Sequence, residues 1–97
     1  MSPLEAVYAV ADQLGVSALA ILSSERSKPL PVARMLVSWL LTPEYSTYDI
    51  AAALGKAESS VRYYLSELNR VCLWDAEIRR ARKELLATMF SFGEPPA

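Results

Sequence analysis

Apolar residues in this chain recur every three or four positions and nowhere alternate over a strand-length window, so the pattern predicts helices and no sheet. Leu4, Val7, Tyr8, Ala11 and Leu14 form the first stripe. Ser2-Pro3 opens it with a capping hydroxyl and a proline at the first helical position, Glu5 favours the positive end of the helix dipole, and Gly15 closes it. Ser17 caps a shorter second helix through Leu19, Ile21 and Leu22. The stretch from Ser23 to Pro31 has too many capping residues and prolines to stay helical and reads as a loop with two cations, Arg26 and Lys28. Pro31 then starts a third helix with Met35, Leu36, Trp39 and Leu40 inward and Arg34 and Ser38 outward, closed by Thr42-Pro43. A last helix, capped by Asp75, places Ile78, Ala81, Leu85, Met89 and Phe92 on one stripe. Arg79, Arg80, Arg82 and Lys83 lie roughly opposite, a solvated face balanced by Glu77 and Glu84. Residues 1–92 are expected to form a single domain, and 93–97 a frayed tail.

Between the third and last helices, Thr47 to Ser66 reads as two short helices broken by a tight turn. Ser46 or Thr47 caps the first, Asp49 lies in its first turn, and Ile50, Ala51 and Leu54 mark its apolar face. Gly55 is free to take positive φ where that helix must stop. Val61, Tyr64, Leu65 and Leu68 mark the second helix, which is expected to run to about Val71, with Leu73-Trp74 at the following corner. Ala51 is small where the helices must approach, and Val61 plugs the angle between them, which is the spacing of a helix-turn-helix. The predicted fold is therefore all-α, a compact bundle of about six helices containing that motif.

The same offsets occur in ordinary helical hairpins, so the outward face decides the reading. It carries Glu58, Ser59, Arg62, Tyr63, Ser66 and Arg70, and the second helix of a helix-turn-helix is the one laid in the major groove. Arg forks onto guanine, and Ser and Tyr hydrogen-bond bases or phosphates. Glu58, at the helix start, is expected to act as a cap.

Composition narrows the function classes. Ninety-seven residues, 53% hydrophobic and 22% charged, suit one core without disulfides or metal. No apolar run approaches bilayer length, the amino terminus lacks a signal-peptide pattern, and Cys72 is alone, so a cytoplasmic location is expected. The absence of histidine, with a single cysteine, removes zinc fingers, Ser-His triads and most metal chemistry. The glycines at 15, 55 and 93 make no phosphate-binding loop, so neither an enzyme nor a cofactor is expected. A formal charge of −1 weighs against a nucleic-acid binder, yet all ten Lys and Arg fall between Arg26 and Lys83, while residues 1–25 carry only acids.

In order, these segments resemble the C-terminal DNA-binding domain of the bacterial replication initiator DnaA, over about Leu4 to Phe90. The resemblance is carried by Val7-x-x-Val10-x-x-x-Leu14-Gly-Val-Ser17, by Leu22-Ser-Ser-x-Arg26 entering a basic loop, by a long apolar helix, and by Asp49-Ile-Ala-x-Ala-Leu-Gly55. It implies a helical domain, Trp-repressor-like in its motif, that reads double-stranded DNA. Arg26 and Lys28 become minor-groove candidates, and Arg34 a phosphate contact. Where the family has a Gly-Gly-Arg-Asp-His-Thr-Thr-Val signature, this chain has Gly55-Lys-Ala-Glu-Ser-Ser-Val61, one residue shorter, so Gly55, the hydroxyls of Ser59 and Ser60, and Val61 carry over. Ser60 to Leu68 is also similar to the recognition helix of winged-helix regulators, but the helical pattern from Asp75 to Phe92 stands where their β-hairpin wing would be.

The sequence thus leads to a sequence-specific double-stranded DNA-binding regulator of transcription or replication, of a size that suits a phage-encoded or accessory protein. Its candidate contacts are Arg26, Lys28, Arg34, Lys56, Ser59, Ser60, Arg62, Tyr63, Ser66 and Arg70. The alternative is a protein-interaction module, or an inhibitor of a host factor, that keeps the helix-turn-helix as scaffold. Leu86 and Phe90 widen the apolar band of the last helix, so a homodimer is a further expectation.

Overall fold

The computed structural model describes residues 1–93, with side chains through Met89. It consists of α1 (Pro3–Leu14), α2 (Ala18–Leu22), α3 (Leu30–Leu41), α4 (Thr47–Leu54), α5 (Glu58–Trp74) and α6 (Ala76–Gly93), with no strand among the described residues. Local chemistry sets most boundaries. The Ser2 hydroxyl accepts the Glu5 N–H at 3.2 Å while the Glu5 carboxylate accepts the Ser2 N–H at 2.8 Å, a capping box that opens α1. That backbone donor, with the Ser2 hydroxyl, holds the Glu5 carboxyl below the usual carboxylate range. Gly15 ends α1 at φ 68°. Ser17 and Ser46 cap α2 and α4 through their hydroxyls.

The core is built around α3, which packs against α1, α2, α4, α5 and α6. Being covered from all sides, it is buried over nearly its whole circumference, from Leu30 and Ala33 through Leu36, Val37, Leu40 and Leu41, with Trp39 half-buried. This corrects the expectation of one inward face: Arg34 and Ser38 are both buried. The Ser38 hydroxyl donates to the Arg34 carbonyl at 2.8 Å, back-bonding within the helix. The helix also begins one residue before Pro31.

Ile21, Ile50, Leu54, Val61, Leu68 and Leu85 close on this central helix from the other elements. The second helix of the central pair is longer than expected, running through Trp74. Asp75 ends it and starts the next, its carboxylate accepting the N–H groups of Glu77 and Ile78 at 3.0 and 3.2 Å. On α6, Ala81 and Leu85 are buried and Ile78 and Met89 pack half-buried against the core, so this stripe of the band assigned to self-association is core, while Leu86 is half-buried in a groove beside Trp39, Arg79, Arg82 and Lys83. The band's remaining members, Phe90 and Phe92, lie outside the described side chains, and residues 94–97 of the expected tail lie outside the described residues, while Gly93 is the last residue of α6. No helix of the described residues is long and apolar enough to cross a membrane.

Candidate nucleic-acid interface

The central pair forms for the reasons its spacing implies. Ala51 and Val61 are both buried, α4 packs against α5, and residues 55–57 form the turn between them. Gly55 takes φ 66°, and the Lys56 N–H reaches back to the Ala51 carbonyl at 3.0 Å, satisfying the open end of α4.

On α5, Ser59, Arg62, Tyr63, Ser66 and Arg70 are all exposed, and their spacing sets them along one face. Their charges are already engaged. Arg62 Nη2 lies 3.2 Å from Glu58 Oε2, and Arg70 Nε donates to Glu67 Oε1 at 2.6 Å. Glu58 is not the expected cap: α5 has Ala57 at its N-cap with no side-chain hydrogen bond there. The Glu58 carboxylate instead accepts the Thr47 hydroxyl at 2.6 Å, tying the start of α5 to the start of α4. Its place in the first turn still favours the helix dipole.

Arg34 differs most from its expected place. It is 3% exposed, and its guanidinium donates from Nε to the Ile21 carbonyl at 2.8 Å and from Nη2 to the carbonyls of Ala20 and Ser23 at 3.1 and 2.8 Å. It therefore closes the C-terminal end of α2, a task suited to a rigid fork of donors. Lys56 Nζ donates to the same Ser23 carbonyl at 2.9 Å. Burial, and then repulsion from Arg34 and Arg26, pulls the Lys56 ammonium below the ordinary lysine range. Arg26 and Lys28 are exposed on the loop, without hydrogen-bond partners among the described residues.

The structure thus brings Arg26, Arg34, Lys56, Ser60, Tyr63 and Tyr64 together around one cleft of about 310 Å³, between the loop, α3 and the start of α5. Tyr63 belongs both to this cleft and to the exposed face of α5, and its ring meets that of Tyr64 edge-on at 6.3 Å. Lys28 does not line the cleft, and Ser59, Arg62, Ser66 and Arg70 continue away from it along α5.

Two features were not singled out for the site. Trp74 is 84% exposed and Leu73 74%. At about 100° per residue, Tyr63, Arg70 and Trp74 fall within about 20° of one line, with the two aromatics roughly 16 Å apart. The spacing of 7 and 11 was legible in the sequence. On α6, the Arg82 guanidinium stacks over Trp39 at 5.9 Å and Arg79 donates to the Cys72 carbonyl at 2.9 Å, so part of the basic face of α6 fastens α6 to α3 and α5. No protein-family model matches this chain, and no curated protein matches it.

Proposed function

We propose that this chain is a sequence-specific double-stranded DNA-binding regulator, of transcription or of replication, that uses α4 and α5 as a helix-turn-helix and performs no catalysis. The observation that carries the reading is the continuity between the exposed polar face of α5 and the cationic cleft at its start, joined through Tyr63. A helix laid in the major groove needs side chains that reach base edges and cations beside it that meet phosphate. Ser59, Arg62, Tyr63 and Ser66 supply the first, and Arg26, Lys28 and Lys56 the second. Three such cations imply a modest slope of log affinity against log salt, about −3.

Selection from random duplexes, followed by salt titration of the winner, tests this. Arg62→Ala should lower specific affinity by about 1–3 kcal/mol and relax preference at one base pair. Equal loss for every sequence would assign Arg62 to phosphate, and absence of salt-dependent retention on any duplex would overturn the DNA reading.

A second reading, a protein-interaction module, is favoured by a specific feature of the same helix. Both arginines on the α5 face have a carboxylate on their own helix, and the face also exposes Tyr63, Leu73 and Trp74. A neutralised, aromatic face suits a protein partner better than a polyanion. That reading predicts no retention on heparin or duplex even at low salt.

A further inference from the structure

We propose that the cleft between residues 23–29, α3 and the start of α5 is a seat for one phosphate-class oxyanion, gripped by Arg26, Lys56 and Ser60 and held in shape by Arg34. The seat stands on its own geometry; only the identification of its phosphate with a duplex backbone rests on the DNA reading.

Three cationic side chains from three separate segments converge here, and no carboxylate lines the cleft among the described residues. The nearest acids in sequence have other partners: Glu25 accepts the Ser27 hydroxyl at 3.0 Å, and Glu58 is held by Thr47 and Arg62. What keeps the like charges together is a set of carbonyls at the end of α2. The Ser23 carbonyl takes a donor from both Arg34 and Lys56, but a carbonyl carries only a partial charge, so the cleft stays strongly positive. The basicity of Lys56 is depressed by burial first and by repulsion from Arg34 and Arg26 second.

The donors are also divided usefully. Arg34 is committed to α2 by three bonds, whereas Lys56 has two ammonium donors left and Arg26 has its whole guanidinium. Ser60 adds a hydroxyl from the first turn of α5, a helix of 17 residues whose N-cap, Ala57, offers no side-chain acceptor. Tyr63 and Tyr64 wall the cleft on the side of α5.

The test uses the full chain with labelled lysine side chains and backbone amides, titrated with inorganic phosphate at constant ionic strength against a chloride control. Saturable shifts are expected at the Lys56 ammonium and the Ser60 amide, together with a rise in the Lys56 pKa. Lys56→Gln should weaken phosphate at least about tenfold, the equivalent of one charge-assisted bond, and Lys56→Arg should restore most of it. Lys83→Gln on α6 is the control, and melting curves confirm that each variant is folded. A second arm adds a short duplex. If duplex competes with phosphate, and Lys56→Gln lowers its log–log salt slope by about one, the seat is occupied by backbone phosphate. If phosphate saturates but duplex neither binds nor competes, the seat stands and the DNA reading fails. If duplex binds with an unchanged slope in Lys56→Gln, and phosphate gives only the shifts that chloride gives, the seat is overturned while the DNA reading survives.

Discussion

Arg34→Ala tests whether a buried guanidinium is what joins the end of α2 to the central helix. The side chain donates to three carbonyls, of which only the Ile21 bond is fully buried. Leaving that carbonyl without a donor costs about 1–3 kcal/mol. The other two bonds are part-buried, water entering by the cleft replaces them in part, and they add roughly 0.5–1.5 kcal/mol each. Against this, removing one of three crowded cations relieves Lys56, whose pKa should move upward toward the ordinary value. The expected net loss is about 2–5 kcal/mol, a large fraction of the ~5–15 kcal/mol that stabilises a domain. At about 4–8 °C per kcal/mol for this size, the melting midpoint should fall by at least ~8 °C. Urea unfolding followed by far-ultraviolet circular dichroism measures it. Arg34→Lys keeps the charge but not the fork and should recover only part of the loss, which also provides a measurable value if the alanine variant does not fold. A loss under about 1 kcal/mol, with DNA affinity reduced instead, would refute the structural role and return Arg34 to phosphate contact.

Three further outcomes are expected. Gly55→Ala should lose about 1–2 kcal/mol by thermal melting, from left-handed backbone strain alone, because nothing lies within 4 Å of the added Cβ; Gly55→Asn should lose less. Because the folded Lys56 has a pKa below the ordinary 10.5, the unfolded chain binds more protons between the two values; stability from this group therefore rises as pH climbs through that alkaline window, and Lys56→Met should flatten the rise in a pH series of urea midpoints. Self-association should depend on the exposed Leu73 and Trp74 rather than on the buried Leu85, so Trp74→Ala should abolish it in sedimentation; a mass near the 10.7 kDa of one chain for the unmodified protein at micromolar concentration removes the idea.

Helix ends were the most legible part of this chain, because Ser2, Ser17, Ser46, Gly55 and Asp75 each act through a bond to backbone a few residues away. The middle of α3 was harder to read. An inward stripe with Arg34 and Ser38 outside is the usual inference from helical spacing, yet these are the only polar residues between Leu30 and Leu41, the composition of a helix covered on every side. A polar residue inside such a helix must find partners. Those of Arg34 lie 11 to 14 residues earlier, and no local pattern specifies them. The pairing of Arg62 with Glu58 and of Arg70 with Glu67 follows from i,i+4 and i,i+3 spacing and was available from the sequence, but a list of outward residues does not show which of them neutralise each other.

That neutralisation changes how a chain of net charge −1 would engage DNA. Along α5 the exposed charges cancel, so long-range attraction is concentrated at the cleft and loop near the start of that helix, where Arg26, Lys28 and Lys56 lie without carboxylate partners among the described residues. Steering would then come from one end of the interface and reading from the other. The two α5 arginines are not equally available for reading. The Arg62–Glu58 pair is solvated on the arginine side, and an exposed pair contributes only about 0–1 kcal/mol, less than the ~1–3 kcal/mol of a forked guanine contact. On the DNA reading, Arg62 would therefore gain by leaving its partner for a base. Glu58 would not follow it toward the groove, because the Thr47 hydroxyl holds the carboxylate at 2.6 Å against α4. Glu67 is mostly covered, its side chain 15% exposed, and an arginine that left it would strand a partly desolvated carboxylate, so on the DNA reading Arg70 would keep its partner and be restricted to phosphate within reach of that pair.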